Sequence, residues 1–128
     1  MVLAAACLAG CQMPSSDRSP PEIGGIRVGM TLEEYKKVTT TPPGFRVGDV
    51  HAVYGGPQAT FVNGRLVGFL WRFPTRSYET VKNVIRTRYP QLSCRIQEGT
   101  EVCAIGSALV LTKSPPHRLH STLSLRRV

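Results

Sequence analysis

The chain is 128 residues long, 41% apolar and 19% charged, with a formal net charge of +8 at neutral pH. That length supports one small hydrophobic core and not two, and nothing after Gly10 approaches the roughly 20 consecutive apolar residues of a membrane-spanning helix. The basic excess suits an anionic partner, but no nucleic-acid-binding motif accompanies it. Because Arg outnumbers Lys, an Arg-rich host proteome accounts for the charge equally well.

The first element is a short apolar run, Val2 to Gly10, closed by Leu8-Ala9-Gly10-Cys11. This stretch resembles the lipobox of bacterial lipoproteins: Leu, a small residue, Gly or Ala, then Cys. The resemblance implies cleavage before Cys11, acylation of its thiol and anchoring by lipid. Small residues before the cysteine admit a peptidase to the backbone. The run lacks the positively charged start of a secretory leader, so the natural start is expected upstream of Met1. Residues 1–10 are therefore expected to be a leader. Residues 11–23, polar and rich in Ser and Pro, are expected to be a flexible tether, and residues 24–128 a single domain. The alternative is a cytosolic protein with an apolar N-terminal element. Gln12, where inner-membrane retention would call for Asp, implies by the same resemblance the periplasmic side of the outer membrane.

After a glycine-rich stretch, Ile23 to Gly29, the clearest helix start lies at Thr31, an N-cap with Glu34 three residues later to complete a capping box. Leu32, Tyr35 and Val38 form its apolar stripe. Lys36 and Lys37 suit the end of the dipole, and Pro42-Pro43-Gly44 stops it. Val50 to Tyr54 reads as a short strand. Gln58–Val62 and Arg65–Phe73 flank Asn63-Gly64, a strong hairpin signal. Strict alternation along the second strand puts Val67, Phe69, Trp71 and Phe73 on one face, expected to be buried, and Leu66, Gly68, Leu70 and Arg72 on the other. A second helix is predicted from Ser77 to Tyr89, with Tyr78, Val81, Val84, Ile85 and Tyr89 at helical spacing. Four short strands follow, near Ser93–Gln97, Glu101–Ile105, Ala108–Lys113 and Thr122–Val128. The order helix, strands, helix, strands predicts an α+β fold: a two-layer sandwich with two helices packed on one face of a mainly antiparallel sheet.

If Cys7 leaves with the leader and Cys11 carries lipid, one pair of cysteines remains, Cys94 and Cys103. Folding at Glu98-Gly99 sets Gln97 opposite Thr100 and, three rungs on, Cys94 opposite Cys103 in a non-hydrogen-bonded pair. Such pairs hold their Cα atoms about 4.5 Å apart, within reach of a disulfide. Two free thiols or a weak metal pair are the alternatives.

Catalytic signals are sparse. Of the three histidines, His51, His117 and His120, the last two sit three apart but after Pro115-Pro116, in a loop or at a strand start, and no third ligand is evident. No Gly-x-Ser-x-Gly elbow is present, the glycine pairs lack the context of a phosphate cradle, and Glu33-Glu34 read as helix-start charges. No enzyme, cofactor or metal is expected.

At Val28-Gly29-Met30-Thr31-Leu32 and at Phe61-Val62-Asn63-Gly64-Arg65-Leu66 the chain resembles the small SmpA/OmlA (BamE-like) outer-membrane lipoproteins. That resemblance implies a lipid-anchored α+β domain that supports the insertion of β-barrels. This chain departs from the family pattern by placing its second helix after the Asn63-Gly64 hairpin. The expected function is a non-catalytic, lipid-anchored binding or scaffolding module with an envelope protein as partner. The alternative is an inhibitor or immunity protein against a periplasmic or secreted enzyme. Anionic lipid or lipopolysaccharide is a further possible ligand, and nucleic acid is not expected. The candidate binding residues are Leu70, Arg72, Arg126 and Arg127.

Overall fold

The computed structural model describes residues 19–42, 44–51, 56–115 and 117–128. The leader, Cys11 and the tether up to residue 18 lie outside the described residues, as does most of the strand expected at Val50–Tyr54.

Two short ribbons and a helix come first: β1 (Glu22–Ile23) paired with β2 (Ile26–Arg27), helix α1 (Leu32–Thr40), then β3 (Arg46–Val47) paired with β4 (Val50–His51). Next are β5 (Gln58–Val62), β6 (Arg65–Pro74), a 3-10 turn at Thr75–Ser77 and helix α2 (Tyr78–Arg88). The chain ends with β7 (Ser93–Gln97), β8 (Thr100–Ile105), β9 (Leu109–Thr112) and β10 (His120–Arg126). Six strands form one sheet in the order β5-β6-β10-β9-β8-β7, antiparallel throughout. Helix α2 carries the chain across one face from β6 to the far edge, and the last four strands meander back to meet β6.

The expectation of an α+β sandwich is corrected by this architecture. The described residues are mainly β, with 44% strand and 22% helix among them. Two helices do not make up the second layer. Helix α1 has no buried residue, whereas α2 buries Tyr78, Val81 and Ile85. Much of the cover comes from the ribbons and their flanks, through Ile23, Ile26, Met30, Phe45 and Val47. The glycine-rich stretch before α1 folds as β1–β2 because Gly24 and Gly25 take positive φ at the turn (59° and 88°). At Gly24 a Cβ would lie 2.5 Å from the Arg46 carbonyl oxygen. The packed fold also begins earlier than the expected tether boundary, since Pro21 is buried and Ile23 belongs to the core.

The capping box at α1 is complete: Glu34 N–H donates to Thr31 Oγ1 (3.1 Å) and Thr31 N–H donates to Glu34 Oε1 (2.8 Å). The same segment is bound to β6 through Gly29 N–H to Leu66 O (2.8 Å) and Leu66 N–H to Met30 O (2.9 Å). It runs along β6 just beyond the last rung of β10, Arg126 opposite Gly68.

The buried face of the sheet carries Leu66, Phe69, Trp71 and Phe73 of β6, Leu123 and Leu125 of β10, Leu109 and Leu111 of β9, and Cys103 of β8. Its aromatic centre is tight. Trp71 stacks on Phe73 (centroids 4.8 Å), and Phe45 meets Trp71 and Phe69 edge-on at 5.0 and 5.1 Å. The face differs from strict alternation at one place. Thr60 pairs with Gly68 but Phe61 pairs with Leu66, which leaves Val67 as an extra residue. This β-bulge turns Leu66, and not Val67, into the core.

Candidate functional site

Two places concentrate chemistry: the uncovered face of the sheet, and the disulfide at its edge beneath α2.

The register assembles the uncovered face row by row. One row crosses all six strands as Gln58, Leu70, Ser124, Val110, Ala104 and Ser93. The next runs Arg72, Thr122, Thr112, Val102, Arg95, and a third holds Thr60, Gly68 and Arg126. The centre is half-buried and of small residues, while Arg72, Arg95 and Arg126 stand exposed around it. Arg72 and Arg95 close the two ends of one row, four strand spacings apart, or about 19 Å. None of the strand residues directed to this face is Asp, Glu, Phe, Tyr or Trp. At the Arg72 end a depression is lined by Arg72, Ser114, His117, Arg118, His120 and Thr122, with Leu119 at its rim 79% exposed.

Of the residues singled out from sequence, Leu70, Arg72 and Arg126 do share this face. Arg127 does not: it lies past the end of β10, its N–H bound to Val67 O (3.0 Å), beside Pro20, Pro21 and Val128. Arg95 and Arg118 were missed. Arg95 carried a signal, because hairpin pairing with Val102 and alternation from Cys94 together direct it away from the core. Arg118 had none, since its place depends on where the loop after β9 crosses the sheet.

The Cys94–Cys103 disulfide is formed, at the expected rung, with Cα atoms 3.9 Å apart. Helix α2 places side chains against both sulfurs. Arg86 Nη2 donates to Cys94 Sγ (3.1 Å), and the Tyr78 hydroxyl lies 3.4 Å from Cys103 Sγ. A disulfide sulfur has no proton, so only the phenol can donate in this contact, and the Glu101 carboxylate shares that one proton. Glu101 accepts a hydrogen bond from Lys82 Nζ (2.9 Å), which also lies 3.3 Å from Glu79. The Lys82 bond holds the Glu101 carboxyl below the usual carboxylate range, and the same contact raises Lys82. Burial, followed by the Glu101 carboxylate, pushes Tyr78 far up, so it stays protonated. Lys82 and Lys113 both lie 5.6 Å from the Tyr78 ring centroid. Cys94, Cys103 and Glu101 bring potential ligand atoms within 4.8 Å of one another. The two sulfurs are spent on their mutual bond and the carboxylate on Lys82, so the oxidised cluster is not a metal centre.

No model of a known protein family matches this chain, and no characterised protein or solved structure matches it either. Among the described residues, no helix is long and apolar enough to cross a membrane.

Proposed function

We propose that this protein is a non-catalytic binding module, held by lipid on Cys11 at the periplasmic side of the outer membrane, which offers its uncovered sheet face to an acidic envelope protein. The observation that carries the reading is the charge of that face: three exposed arginines around a small-residue centre, with no carboxylate among the strand residues directed to it. Arginine is enriched at protein interfaces. A second copy is disfavoured, since stacking two such faces sets arginine against arginine. Single-stranded nucleic acid is disfavoured because none of the strand residues on this face is Phe, Tyr or Trp, the larger platforms for bases.

The area available sets the strength. Six strands of four to ten residues present a flat projection of about 500 Å², short of the roughly 800 Å² per partner typical of a stable complex. Lipid tethering would offset that deficit by raising the local concentration of the module at the membrane. The distant likeness to barrel-assembly lipoproteins names one class of partner. The inhibitor reading draws on a different feature, the Arg118–Leu119 loop beside Arg72, which suits insertion into an acidic cleft.

The test is crosslinking in envelopes, comparing the wild-type chain with the triple variant Arg72→Glu, Arg95→Glu, Arg126→Glu, together with intact-mass analysis of the mature protein. Loss of a crosslinked acidic protein in the variant supports the reading. An unchanged partner set, or binding only to anionic vesicles that disappears at modest salt, overturns it. An unmodified Cys11 would overturn the anchoring. Loss of one soluble hydrolase on substituting Arg118 alone would replace the scaffold reading with the inhibitor one.

A further inference from the structure

The two sulfurs of the disulfide stand in unlike surroundings. Cys103 is fully buried, with Leu111 opposite it on β9 and the Tyr78 hydroxyl at its Sγ. Cys94 is only half-buried and lies on β7, which pairs with β8 alone and so forms an edge of the sheet. In a non-hydrogen-bonded rung the backbone N–H and C=O of Cys94 point away from β8, toward the open edge. Those of Ile96 do the same, and its side chain is 70% exposed. An extended peptide laid along β7 meets free backbone groups, an apolar side chain and then a reachable sulfur. Arg86 sits at that sulfur, at 3.1 Å.

We propose that the Cys94–Cys103 bond is a site of thiol–disulfide exchange, at which the thiolate of a cysteine-containing peptide attacks Cys94 and only Cys94. In the first step the incoming thiolate forms a new S–S bond to Cys94 Sγ while the bond from Cys94 to Cys103 breaks, and the electron pair leaves on Cys103. The thiolate left on Cys103 carries the charge that the incoming thiolate brought, beside the Tyr78 hydroxyl. From there the reaction runs one of two ways. Cys103 attacks back and expels the peptide thiolate, restoring the starting bond. Otherwise a second thiol of the same peptide attacks its own mixed-disulfide sulfur, which releases Cys94 as a thiolate beside Arg86. The peptide then leaves as a disulfide and this protein as a dithiol, two electrons having passed to it.

Each neighbouring residue has a defined part. The Arg86 cation draws the anionic nucleophile and stabilises the Cys94 thiolate in the reverse direction. Tyr78 helps Cys103 to leave, because a leaving thiolate departs faster when stabilised. Both act as positioning residues. A structural staple would not require opposite accessibility at the two sulfurs together with a cation at one and a donor at the other.

The experiment exposes the full-length folded protein to reduced glutathione, quenches with acid and an alkylating agent, and maps the cysteines by mass. The expected result is glutathione on Cys94 and alkylation on Cys103. In a Cys7→Ser, Cys11→Ser, Cys103→Ser background, the remaining Cys94 should titrate below the ordinary thiol value of about 8.5. Its reaction with glutathione disulfide should slow about fivefold in Arg86→Gln and hold in Arg86→Lys. Adducts shared equally between the two sulfurs would overturn the proposal. So would a reduction rate in wild-type protein that climbs with sub-denaturing urea as steeply as global unfolding does, since exchange would then need the unfolded chain.

Discussion

Phe61 is paired with Leu66, one residue short of the Val67 that an unbroken ladder would have set against it. The rung before it, Thr60 with Gly68, belongs to the other phase, so a single extra residue moves the end of β6 by half a pleat. Leu66 is thereby fully buried and Val67 only partly so. The freed Val67 carbonyl takes the Arg127 N–H.

This assigns very different costs to adjacent residues. Leu66→Ala should destabilise by about 2–5 kcal/mol, as for a filled core position left as a cavity. Val67→Ala should stay within about 1 kcal/mol. Urea unfolding of the two variants measures both, and equal costs would remove the bulge from the account.

The α1 cap is open to a direct measurement. Thr31→Ala removes the acceptor of the Glu34 N–H and should cost about 1 kcal/mol. The segment is also pinned to β6 through Met30 and Leu66, so the loss should appear in the global unfolding transition and not as local fraying. A far-UV signal that changes without any shift of the midpoint would contradict this.

Glu98 is one of two described non-glycine residues at positive φ, 54°, beside Gly99 at 79°. The other is Asn63, which tolerates the left-handed conformation; Glu does not. Glu98→Asn should therefore stabilise the β7–β8 hairpin, raising stability by about 0.5 kcal/mol or more. Thermal denaturation of the oxidised protein checks the sign.

The Lys82–Glu101 pair makes stability depend on pH at both ends. Glu101 has a folded pKa below its ordinary 4.5, so its contribution is present above that value and is lost as pH falls through the folded pKa. Lys82 has a folded pKa above its ordinary 10.5, so its contribution is complete below that value and is lost as pH rises through the folded pKa. The gap in urea midpoint between wild type and Glu101→Gln should be widest near neutrality and close as pH drops below about 4.5. A gap independent of pH between 2.5 and 7 would show that the ion pair contributes nothing.

What could be read along the chain was whatever a few neighbouring residues decide among themselves. Thr31 and Glu34 announce a helix start because their side chains satisfy each other's backbone within one turn. Asn63-Gly64 announces a hairpin because both residues accept positive φ. Counting rungs from Glu98-Gly99 brings Cys94 to Cys103 because alternation over four pairs leaves no freedom. Leu70 and Arg72 are legible for the same reason, by alternation on their own strand, whereas Arg126 stands out only as part of a basic C-terminus.

Tertiary structure decided the rest. Nothing local says that Val67 is extra, because the bulge exists only relative to β5 and to the core that Leu66 fills. Nothing local says that β6 lies between β5 and β10, and so nothing local brings Arg72 and Arg95 to opposite ends of one row. The layer over the sheet was assigned to two helices because amphipathic stripes are legible at short range. Ribbons two residues long become visible only once their few apolar side chains find a surface to cover. The absence of carboxylates from an entire face is likewise a property of the assembled register: charges far apart in the chain share a surface only after long-range pairing has chosen their neighbours.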